Sequence, residues 1–529
     1  MKYTWLILIQ LCASIAFGQT MGARTGGGNL NNGLYNAANL EYIDILEATG
    51  AKLARVNLYP NDYWNFATNL PKTDYADSLL LYLAAKDIGV VLLFEHYADF
   101  VALGQPLGDY SKWQQIGAAF AQRYAPGSVF FSSNGFPGYG VQYYTAINEP
   151  DLGSYMPLTI VEDPENYHDA LEGLADGVHS IEATLKVIPG GFATENSAGS
   201  HTLSGFGTAI ADLFNNGKLY GIDLHTYNDV SYAPILKYDN TNHKQFMAFY
   251  DFNEVKIGCG ITADIKFCAT EFGFKENTQG IDASLAAKRL LTCIWGNLGA
   301  VSNDSMGSAT EYALVWNLYN TVSEDPVYGM CFDRNPYLPS LKGQTFNLVM
   351  ELAKDMDFEA LDPFGRGEYI LNGPDKKMWV LHNYDQLSTI FGSSYTIDQI
   401  PVNTVALQVY NWQGLLDVIP YTGFNAYTFT NLNVNETYMF VATADSLAGT
   451  SELSKIVSLS ACPNPFTESI TLHLPGNSHQ IRICNSLGQL VETLYTETSF
   501  VTFGTNYPSG IYFAQLIGET GSVLRLIKE

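Results

Sequence analysis

From residue 19 to about residue 357, short apolar runs alternate with segments whose apolar residues recur at helical spacing. The pattern predicts strands at 21–25, 53–59, 90–96, 143–148, 187–193, 222–227, 265–272 and 312–317. It predicts helices between and after them at 35–48, 74–87, 111–124, 164–185, 203–214, 243–252, 284–298 and 345–356. Strand and helix therefore follow each other eight times over this part of the chain.

This alternation predicts an α/β fold, a (β/α)8 barrel over residues 19–357. The strands are nearly continuous apolar runs, as expected where a parallel barrel buries both faces of its sheet. A doubly wound open sheet is the competing fold. Against it, no Gly-rich dinucleotide fingerprint follows the first strand.

Beyond residue 358 the helical period is lost. Short alternating runs at 378–382, 405–412, 426–429 and 437–441 predict a small β-sandwich over residues 358–446. Trp379 and Trp412 in this region are candidate sugar platforms or core aromatics. Residues 447–456 are predicted to form a linker, and residues 457–529 a third unit, again all β.

The first 18 residues have the pattern of an export signal. Lys2 precedes an apolar run over residues 5–17, and Ala16-Phe17-Gly18 has the small-x-small pattern of a cleavage site. No other segment is long and apolar enough to span a bilayer, so none is expected in the mature chain. The sequence thus predicts a signal peptide over residues 1–18 and an exported mature protein.

The composition excludes some classes of function. Apolar residues make up 47% of the chain, too many for a disordered protein, and the formal net charge is −26. So acidic a surface repels phosphate backbones, which argues against a nucleic-acid partner. The cysteines form no paired C-x-x-C pattern, which argues against zinc. Cys259 and Cys268 are candidates for either a disulfide or buried free thiols.

The candidate chemistry lies where two predicted strands end. The fourth strand stops at Asn148-Glu149-Pro150, because proline removes a backbone donor and disfavours helical angles in the residue before it. The seventh carries Glu271 near its end. Strands four and seven face each other across an eight-stranded barrel, whose chemistry lies at the C-terminal mouth. Cleavage of a glycosidic bond requires two carboxyl groups, one protonated and one ionised.

With both motifs in register with the strand count, residues 19–356 resemble the clan A glycoside hydrolases. The resemblance implies a retaining β-glycoside hydrolase that cleaves a polysaccharide or oligosaccharide by double displacement. It makes Glu149 the acid/base and Glu271 the nucleophile, with no cofactor and no metal. Mannan, xylan, β-glucan and algal galactans all stay open as substrates.

The resemblance also suggests roles for residues that bind substrate or support the carboxylates. Arg55 on strand two would hydrogen-bond Glu271, with a structural salt bridge as the alternative. Asn148 would hold the sugar 2-hydroxyl, a contact that strengthens in the transition state. Trp316 would offer a flat apolar face to a pyranose ring, or pack in the core.

Three further residues complete the candidate substrate-binding set. His225 would line the pocket, with a satisfied core histidine as the alternative. Tyr227 would donate to Glu271, and His96 at the end of strand three would contact sugar. Three other acids near strand ends are assigned to subsites or to the surface: Glu95, Glu195 and Asp229.

The last unit contains four short motifs in a fixed order. They are Pro463-Asn464-Pro465-Phe466, Ser486-Leu487-Gly488, Ser509-Gly510-Ile511-Tyr512 and the basic-tipped end over residues 524–529. As a set they resemble the C-terminal sorting domain of the Bacteroidetes type IX secretion system, with Cys462 as a departure before the first motif. The resemblance implies passage through the periplasm, handling by the type IX machinery, delivery to the cell surface or beyond, and removal of the domain.

Two other functions fit the same residues. One is a non-catalytic carbohydrate-binding or adhesin protein on the same barrel, and the other is a transglycosylase that uses the same site. The distance between the carboxyl groups separates the chemistries. About 5–5.5 Å indicates a retaining mechanism and about 6.5–9.5 Å an inverting one.

Overall fold

The structure of the chain is a computed structural model. The described residues are 25–26, 29–30, 37–95, 108–151, 164–193, 206–226, 256–273, 282–299, 310–316, 329–334, 337–353, 355–362, 367–383, 392–421, 423, 425–444, 460–462, 466–474, 479–485, 490–496, 498, 500–516 and 523–529. The predicted helix 243–252 lies outside them.

Up to residue 353 the described strands and helices are interspersed along the chain. The strands are β1 (Thr25–Gly26), β2 (Asn29–Leu30), β3 (Leu53–Leu58), β4 (Trp64–Asn65), β5 (Leu70–Pro71), β6 (Gly89–Phe94), β7 (Tyr143–Ala146), β8 (Lys186–Pro189), β9 (Phe192–Ala193), β10 (Gly221–His225), β11 (Lys266–Phe272), β12 (Thr310–Val315), β13 (Cys331–Arg334) and β14 (Tyr337–Pro339). The helices are α1 (Ala37–Thr49), α2 (Pro60–Tyr63), α3 (Asp74–Ala85), α4 (Tyr110–Tyr124), α5 (Val129–Ser133), α6 (Pro164–His179), α7 (Gly207–Ala209), α8 (Ala211–Asn215), α9 (Ala283–Leu298) and α10 (Leu341–Ala353).

Ten of the described strands form two parallel five-stranded sheets. One has the order β2-β3-β6-β7-β8 and the other β1-β12-β11-β10-β9. Between them, the backbone N–H of Tyr220 donates to the carbonyl of Val187 at 2.8 Å, which joins the start of β10 to β8. Within each sheet all strands run in the same direction, and apart from the pair β1–β12 the neighbouring strands follow each other along the chain.

From the second predicted strand to the eighth, each described strand begins within two residues of its predicted start. Helix ends differ more. The predicted helix 164–185 stops at His179, because the Ser180 hydroxyl donates to the Gly177 carbonyl at 2.7 Å and the Glu182 carboxylate accepts from the Thr184 N–H at 3.1 Å. Such local side-chain bonds offer the backbone an alternative to the helix. The predicted helix 203–214 is divided into α7 and α8.

The region after α10 consists of antiparallel strands. They are β15 (Asp357–Asp362), β16 (Glu368–Asn372), β17 (Lys376–Asn383), β18 (Ser394–Asp398), β19 (Ala406–Asn411), β20 (Gly414–Pro420), β21 (Ala426–Thr430) and β22 (Glu436–Thr443). Six form one sheet in the order β15-β16-β17-β22-β19-β20, and β18 pairs with β21. The limits of the units at residues 357/358 and 446/447 remain predictions.

The six-stranded sheet packs against the helical layer of the first unit. Trp295 of α9 stacks on Tyr369 of β16 with ring centroids 6.5 Å apart, and the hydroxyls of Thr292 and Thr437 are 2.9 Å apart. On its other face, Trp379 lies in a second core shared with β18 and β21 and is only 1% exposed. Trp379 is therefore a core aromatic. Trp412 is partly buried against the first core.

The C-terminal strands are β23 (Ser460–Cys462), β24 (Ile470–His473), β25 (His479–Asn485), β26 (Leu490–Thr496), β27 (Phe500–Phe503), β28 (Gly510–Leu516) and β29 (Val523–Lys528). They form two antiparallel sheets around a small core of their own. The candidate disulfide does not form, since Cys259 and Cys268 are both buried cysteines that are not bridged to each other. In the part of the chain that the structure describes, no helix has the length and apolarity needed to cross a membrane.

Candidate active site

A buried arginine ties three strands of the first unit together. Arg55 of β3 is 1% exposed, and its Nη1 donates to Glu271 Oε1 of β11 at 2.8 Å and to Thr270 Oγ1 at 3.3 Å. Its Nη2 donates to Oδ1 of Asn148, two residues beyond β7. The guanidinium fork thus fixes Asn148 and the Glu271 carboxylate relative to each other. The hydrogen bond predicted between Arg55 and Glu271 is present and is also a buried ion pair, while the role of Arg55 toward a nucleophile stays a prediction.

His225, at the end of β10, bridges the two candidate carboxylates. Its side chain is fully buried, and its Nδ1 lies 2.7 Å from Glu149 Oε1 and 3.5 Å from Glu271 Oε2. Burial disfavours a charged imidazole, but Glu271, Glu149 and Asp223 outweigh it and raise the pKa of His225 to about 9. At neutral pH the ring is therefore a cation between two acids.

Thr270 sets the orientation of this imidazole. The Thr270 hydroxyl donates to Asp223 Oδ2 at 2.6 Å, so its oxygen accepts from His225 Nε2, 3.1 Å away. The Thr270 backbone N–H donates to the other oxygen of Asp223 at 2.8 Å. Nε2 therefore carries a proton, and the Nδ1–H of the imidazolium points at Glu149. We call Arg55, Asn148, Glu149, His225 and Glu271 the mouth cluster.

Two more buried acids surround the mouth cluster. Glu95 follows β6 and is 7% exposed; Asn57 Nδ2 donates to its Oε1 at 3.0 Å. Burial raises the pKa of Glu95 to about 7, with Glu271 and Glu149 adding to the effect and Arg55 opposing it. Burial likewise raises the pKa of Asp223. The sequence predicts a subsite or a surface position for Glu95; the surface alternative is wrong, because the side chain is buried, and the subsite alternative stays a prediction. Its position directly after the apolar strand β6 is the sequence feature that indicates burial.

The backbone beside Glu149 is strained. Ile147 has φ 67° and Glu149 has φ 45°, the left-handed region that side chains avoid, above all β-branched ones. Each such residue costs about 1–3 kcal/mol and persists where its surroundings force it. Here the Ile147 N–H donates to the Phe94 carbonyl at 3.0 Å and the Glu149 N–H to the Gly191 carbonyl at 2.9 Å. The turn directs the Glu149 carboxylate toward His225.

The two carboxylates and the imidazole converge closely. One atom each of Glu149, His225 and Glu271 lies within 4.8 Å of the others, a donor set that has the spacing of a cation site. Arg55, a permanent cation 2.8 Å from Glu271, and the charged His225 both repel a metal ion there. The two positive charges therefore disfavour a metal ion among these three side chains.

Not all of the predicted site residues belong to the part of the chain that the structure describes. Trp316 directly follows β12, is half-buried, and its backbone N–H donates to the Phe272 carbonyl at 2.7 Å, next to Glu271. His96 and Tyr227 lie outside the described residues, as do Glu195 and Asp229.

Residues 460–529 match the family model of the secretion system C-terminal sorting domain. They are a type IX sorting domain. The prediction made for the last unit is thereby confirmed, and the sorting domain marks the protein for export to the cell surface or for secretion. No curated protein matches the chain by sequence.

Solved structures similar to this chain are glycoside hydrolases of clan A families. A glucosidase from Croceicoccus marinus aligns with a TM-score of 0.52 at 13% identity, covering 81% of this chain and 97% of that one. A family 39 glycoside hydrolase from Bacteroides cellulosilyticus WH2 gives 0.53 at 13% identity, covering 80% and 82%. A bacterial orthologue of human α-L-iduronidase gives 0.54 at 11% identity, covering 97% and 98%. At these identities the similarity shows a shared fold.

Proposed function

We propose that the protein is a secreted retaining β-glycoside hydrolase whose catalytic unit is a closed (β/α)8 barrel. The observation that carries this proposal is the convergence of Glu149, three residues beyond the end of β7, and Glu271, the penultimate residue of β11. One carboxylate oxygen of each lies within 4.8 Å of an oxygen of the other, and this close approach supports a pair of carboxyl groups that act on the same glycosidic bond. Strand pairing in chain order, with β1 beside β12 and β2 beside β3, supports closure of the barrel.

In the first step Glu271 attacks the anomeric carbon of a sugar while Glu149 donates its proton to the departing glycosidic oxygen. The bond to the leaving sugar breaks as an ester bond to Glu271 forms. Arg55 holds Glu271 ionised and fixes the attacking oxygen. His225, 2.7 Å from Glu149 Oε1, stabilises the carboxylate that Glu149 becomes.

In the second step the Glu149 carboxylate takes a proton from water, and the resulting nucleophile cleaves the ester and frees Glu271. Because Arg55 binds Oδ1 of Asn148, the amide NH2 of Asn148 is directed away from the arginine. We assign it to the sugar 2-hydroxyl. Trp316 would supply a ring face for the sugar, His96 a sugar contact, and Tyr227 a hydrogen bond to Glu271. No cofactor enters either step.

An activity screen on mannan, xylan, β-glucan and algal galactans tests the proposal, with the wild-type chain compared with Glu271→Ala and Glu149→Ala. We expect wild type to release sugars whose first-formed anomer keeps the β configuration, read by proton NMR, and Glu271→Ala to release none. A Glu271→Ala variant as fast as wild type, or inversion at the anomeric carbon, would contradict the proposal. Addition of acceptor sugars separates hydrolysis from transglycosylation by the products formed.

A further inference from the structure

The two glycines that follow β8 lie against the most strained part of the proposed site. The Gly190 N–H donates to the Ala146 carbonyl at 3.1 Å and to the Tyr167 hydroxyl at 3.1 Å. The Gly191 carbonyl accepts from the Glu149 N–H at 2.9 Å. This pair of residues therefore runs alongside the turn that carries Glu149.

Gly190 makes room for the left-handed turn. A Cβ atom at Gly190 would lie 1.7 Å from the carbonyl oxygen of Ile147 and 2.4 Å from its carbonyl carbon. Both are backbone atoms, so no change of side-chain rotamer relieves the contact. The conformation of Ile147, which turns the chain toward Glu149, is possible only beside a residue without a side chain.

Gly191 makes room for the imidazole. A Cβ atom at Gly191 would lie 2.0 Å from His225 Nε2 and 2.2 Å from Cδ2. The ring is fully buried, and its two nitrogens are engaged by Glu149 and Thr270. A side chain at position 191 would therefore displace the ring from the place where it contacts the Glu149 carboxylate.

We propose that Gly190 and Gly191 are positioning residues for the acid/base, Gly190 through the Glu149 backbone and Gly191 through the His225 ring. The inference rests on the proposed function, since it gives these glycines a part in proton donation. Neither glycine touches the reacting atoms. Their effect is to hold Glu149 in the one orientation in which it faces both its histidine partner and the leaving oxygen.

The test compares Gly191→Ala with wild type in the full chain, with Gly138→Ala as control because no atom lies within 4 Å of a Cβ at that exposed glycine. The probes are phenyl and 2,4-dinitrophenyl β-glycosides of glucose, xylose, galactose and mannose. Dinitrophenolate departs without a proton, whereas phenolate needs one from the general acid. We expect kcat/KM to fall about 100-fold on the phenyl glycoside but less than about 10-fold on the dinitrophenyl one.

Azide should restore part of the Gly191→Ala rate on the dinitrophenyl glycoside, since it attacks the glycosyl-enzyme without a general base. Gly138→Ala should match wild type on both probes. Equal losses on the two leaving groups, or no loss on either, would overturn the proposal, because a defect in folding alone does not distinguish between leaving groups.

A second readout is independent of activity. Ring nitrogen NMR of histidine-labelled protein, with the His225 signals assigned by their absence in His225→Gln, follows the titration of this imidazole. We expect Gly191→Ala to lower the pKa of His225 from about 9 toward its ordinary value, as the ring leaves Glu149. An unchanged titration would refute the positioning claim. Wild type inactive on every glycoside would instead refute the proposed function, and the NMR result would still decide the role of Gly191.

If Gly191→Ala folds poorly, the double variant Gly191→Ala/His225→Ala decides the matter. Removing the ring removes the contact, so the alanine at 191 should cost little further thermal stability in the His225→Ala background. If Gly191→Ala lowered thermal stability as much in the His225→Ala background as in wild type, the imidazole ring would not be the group that Gly191 accommodates. Gly190→Ala should lower the midpoint of thermal unfolding more than Gly191→Ala, because it meets backbone rather than a side chain.

Discussion

Two buried clusters of charge occupy opposite ends of the same parallel strands. The mouth cluster lies at and beyond the C-terminal ends of β7, β10 and β11. Near the N-terminal ends of these and neighbouring strands lies a second group, formed by Tyr143, Lys186, Tyr220 and Glu311, which we call the base cluster. Both clusters combine acidic and cationic side chains, but they differ in how completely the negative charges, including those of nearby acids, are compensated.

The base cluster is balanced. Glu311 Oε1 accepts from Lys186 Nζ at 2.5 Å and from the Tyr143 hydroxyl at 2.6 Å, and its Oε2 accepts from the Tyr220 hydroxyl at 2.8 Å. The Lys186 ammonium also lies over both tyrosine rings, 4.8 and 4.5 Å from their centroids. Burial opposes the charge of Glu311, but Lys186 and these hydrogen bonds lower its pKa below the usual value.

The mouth cluster and its surroundings hold more acids than cations. Glu149, Glu271, Glu95 and Asp223 share Arg55 and His225, and the pKa values of Glu95 and Asp223 are raised by burial. The backbone is strained there as well, at Ile147 and Glu149. A compensated cluster stabilises the fold and holds its protons in place. A cluster with more acids than cations contains carboxyl groups that gain or lose protons near neutral pH, as acid/base chemistry requires.

The largest effect should come from neutralising one acid in each cluster. We expect Glu271→Gln to lower activity by about 10,000-fold with a smaller change in stability, because it removes the proposed nucleophile and leaves an amide to accept from Arg55. Glu311→Gln should leave activity within about threefold of wild type. The same variant should lower the free energy of unfolding by about 3 kcal/mol, because the Lys186 ammonium loses the carboxylate with which it is paired.

The measurements are kcat on the best substrate of the screen and urea unfolding followed by tryptophan fluorescence. If Glu311→Gln lost activity as severely as Glu271→Gln, the functional contrast between the two ends of the strands would disappear. If the two variants lost the same free energy of unfolding, the charges of the two clusters would not differ in how well they are compensated.

The next effect is on stability as a function of pH. The folded chain keeps the proton of Glu95 up to about pH 7, whereas the unfolded chain releases it near its usual value, so ionisation of Glu95 opposes folding. The contribution of Glu95 to the free energy of unfolding is fully present below about pH 4.5 and is lost as pH rises through about 7. Glu95→Gln should therefore raise the free energy of unfolding by about 3 kcal/mol at pH 8 and change it little at pH 4.

Glu311→Gln provides the opposite control for this pH experiment. The pKa of Glu311 is lowered on folding, so its contribution is present above the unfolded pKa and fades as pH falls through the folded one. The two variants should diverge at pH 8 and converge toward wild type in acid. A Glu95→Gln profile parallel to wild type at every pH would contradict the view that burial holds this carboxyl protonated.

A third effect concerns the geometry of the guanidinium fork. Arg55→Lys keeps the positive charge but cannot reach Glu271 and Asn148 at once, so we expect kcat/KM to fall about 100-fold. Arg123→Lys is the matched control. Arg123 makes a similar fork to Asp77, at 2.7 and 2.6 Å, on the outside of the first unit. It should leave activity unchanged, and an Arg55→Lys variant with full activity would show that charge alone suffices.

Much of the fold and part of the site could be predicted from sequence because local chemistry marks them. Each buried parallel strand is an apolar run, and the fourth ends visibly at Asn148-Glu149-Pro150. Glu271 is recognisable for the same reason, as an acid near the end of an apolar strand. Given the order of the strands, the approach of these two acids needs no further information.

The rest depends on neighbours distant in sequence. Glu95 is buried beside Asn57 and near the mouth cluster, and the closeness of His225 to Glu149 depends on the absence of side chains at Gly190 and Gly191. In sequence, these two glycines look like an ordinary strand end. Positive φ at Ile147 contradicts its local preference and is imposed by tertiary contacts.

The smallest predicted effect tests the base cluster with one hydroxyl. Tyr220→Phe removes the donor 2.8 Å from Glu311 Oε2, and we expect a loss of about 1.5 kcal/mol in the free energy of unfolding, with activity unchanged. Tyr82→Phe, which removes a hydroxyl 2.8 Å from Asp44 on the surface, should cost about 0.3 kcal/mol, since water replaces the lost bond. The deficit of Tyr220→Phe should shrink as pH falls and Glu311 is protonated, because the hydroxyl stabilises the charged form. If both variants lost the same free energy of unfolding, burial would add nothing to this hydrogen bond. That result would contradict the view that the base cluster stabilises the fold.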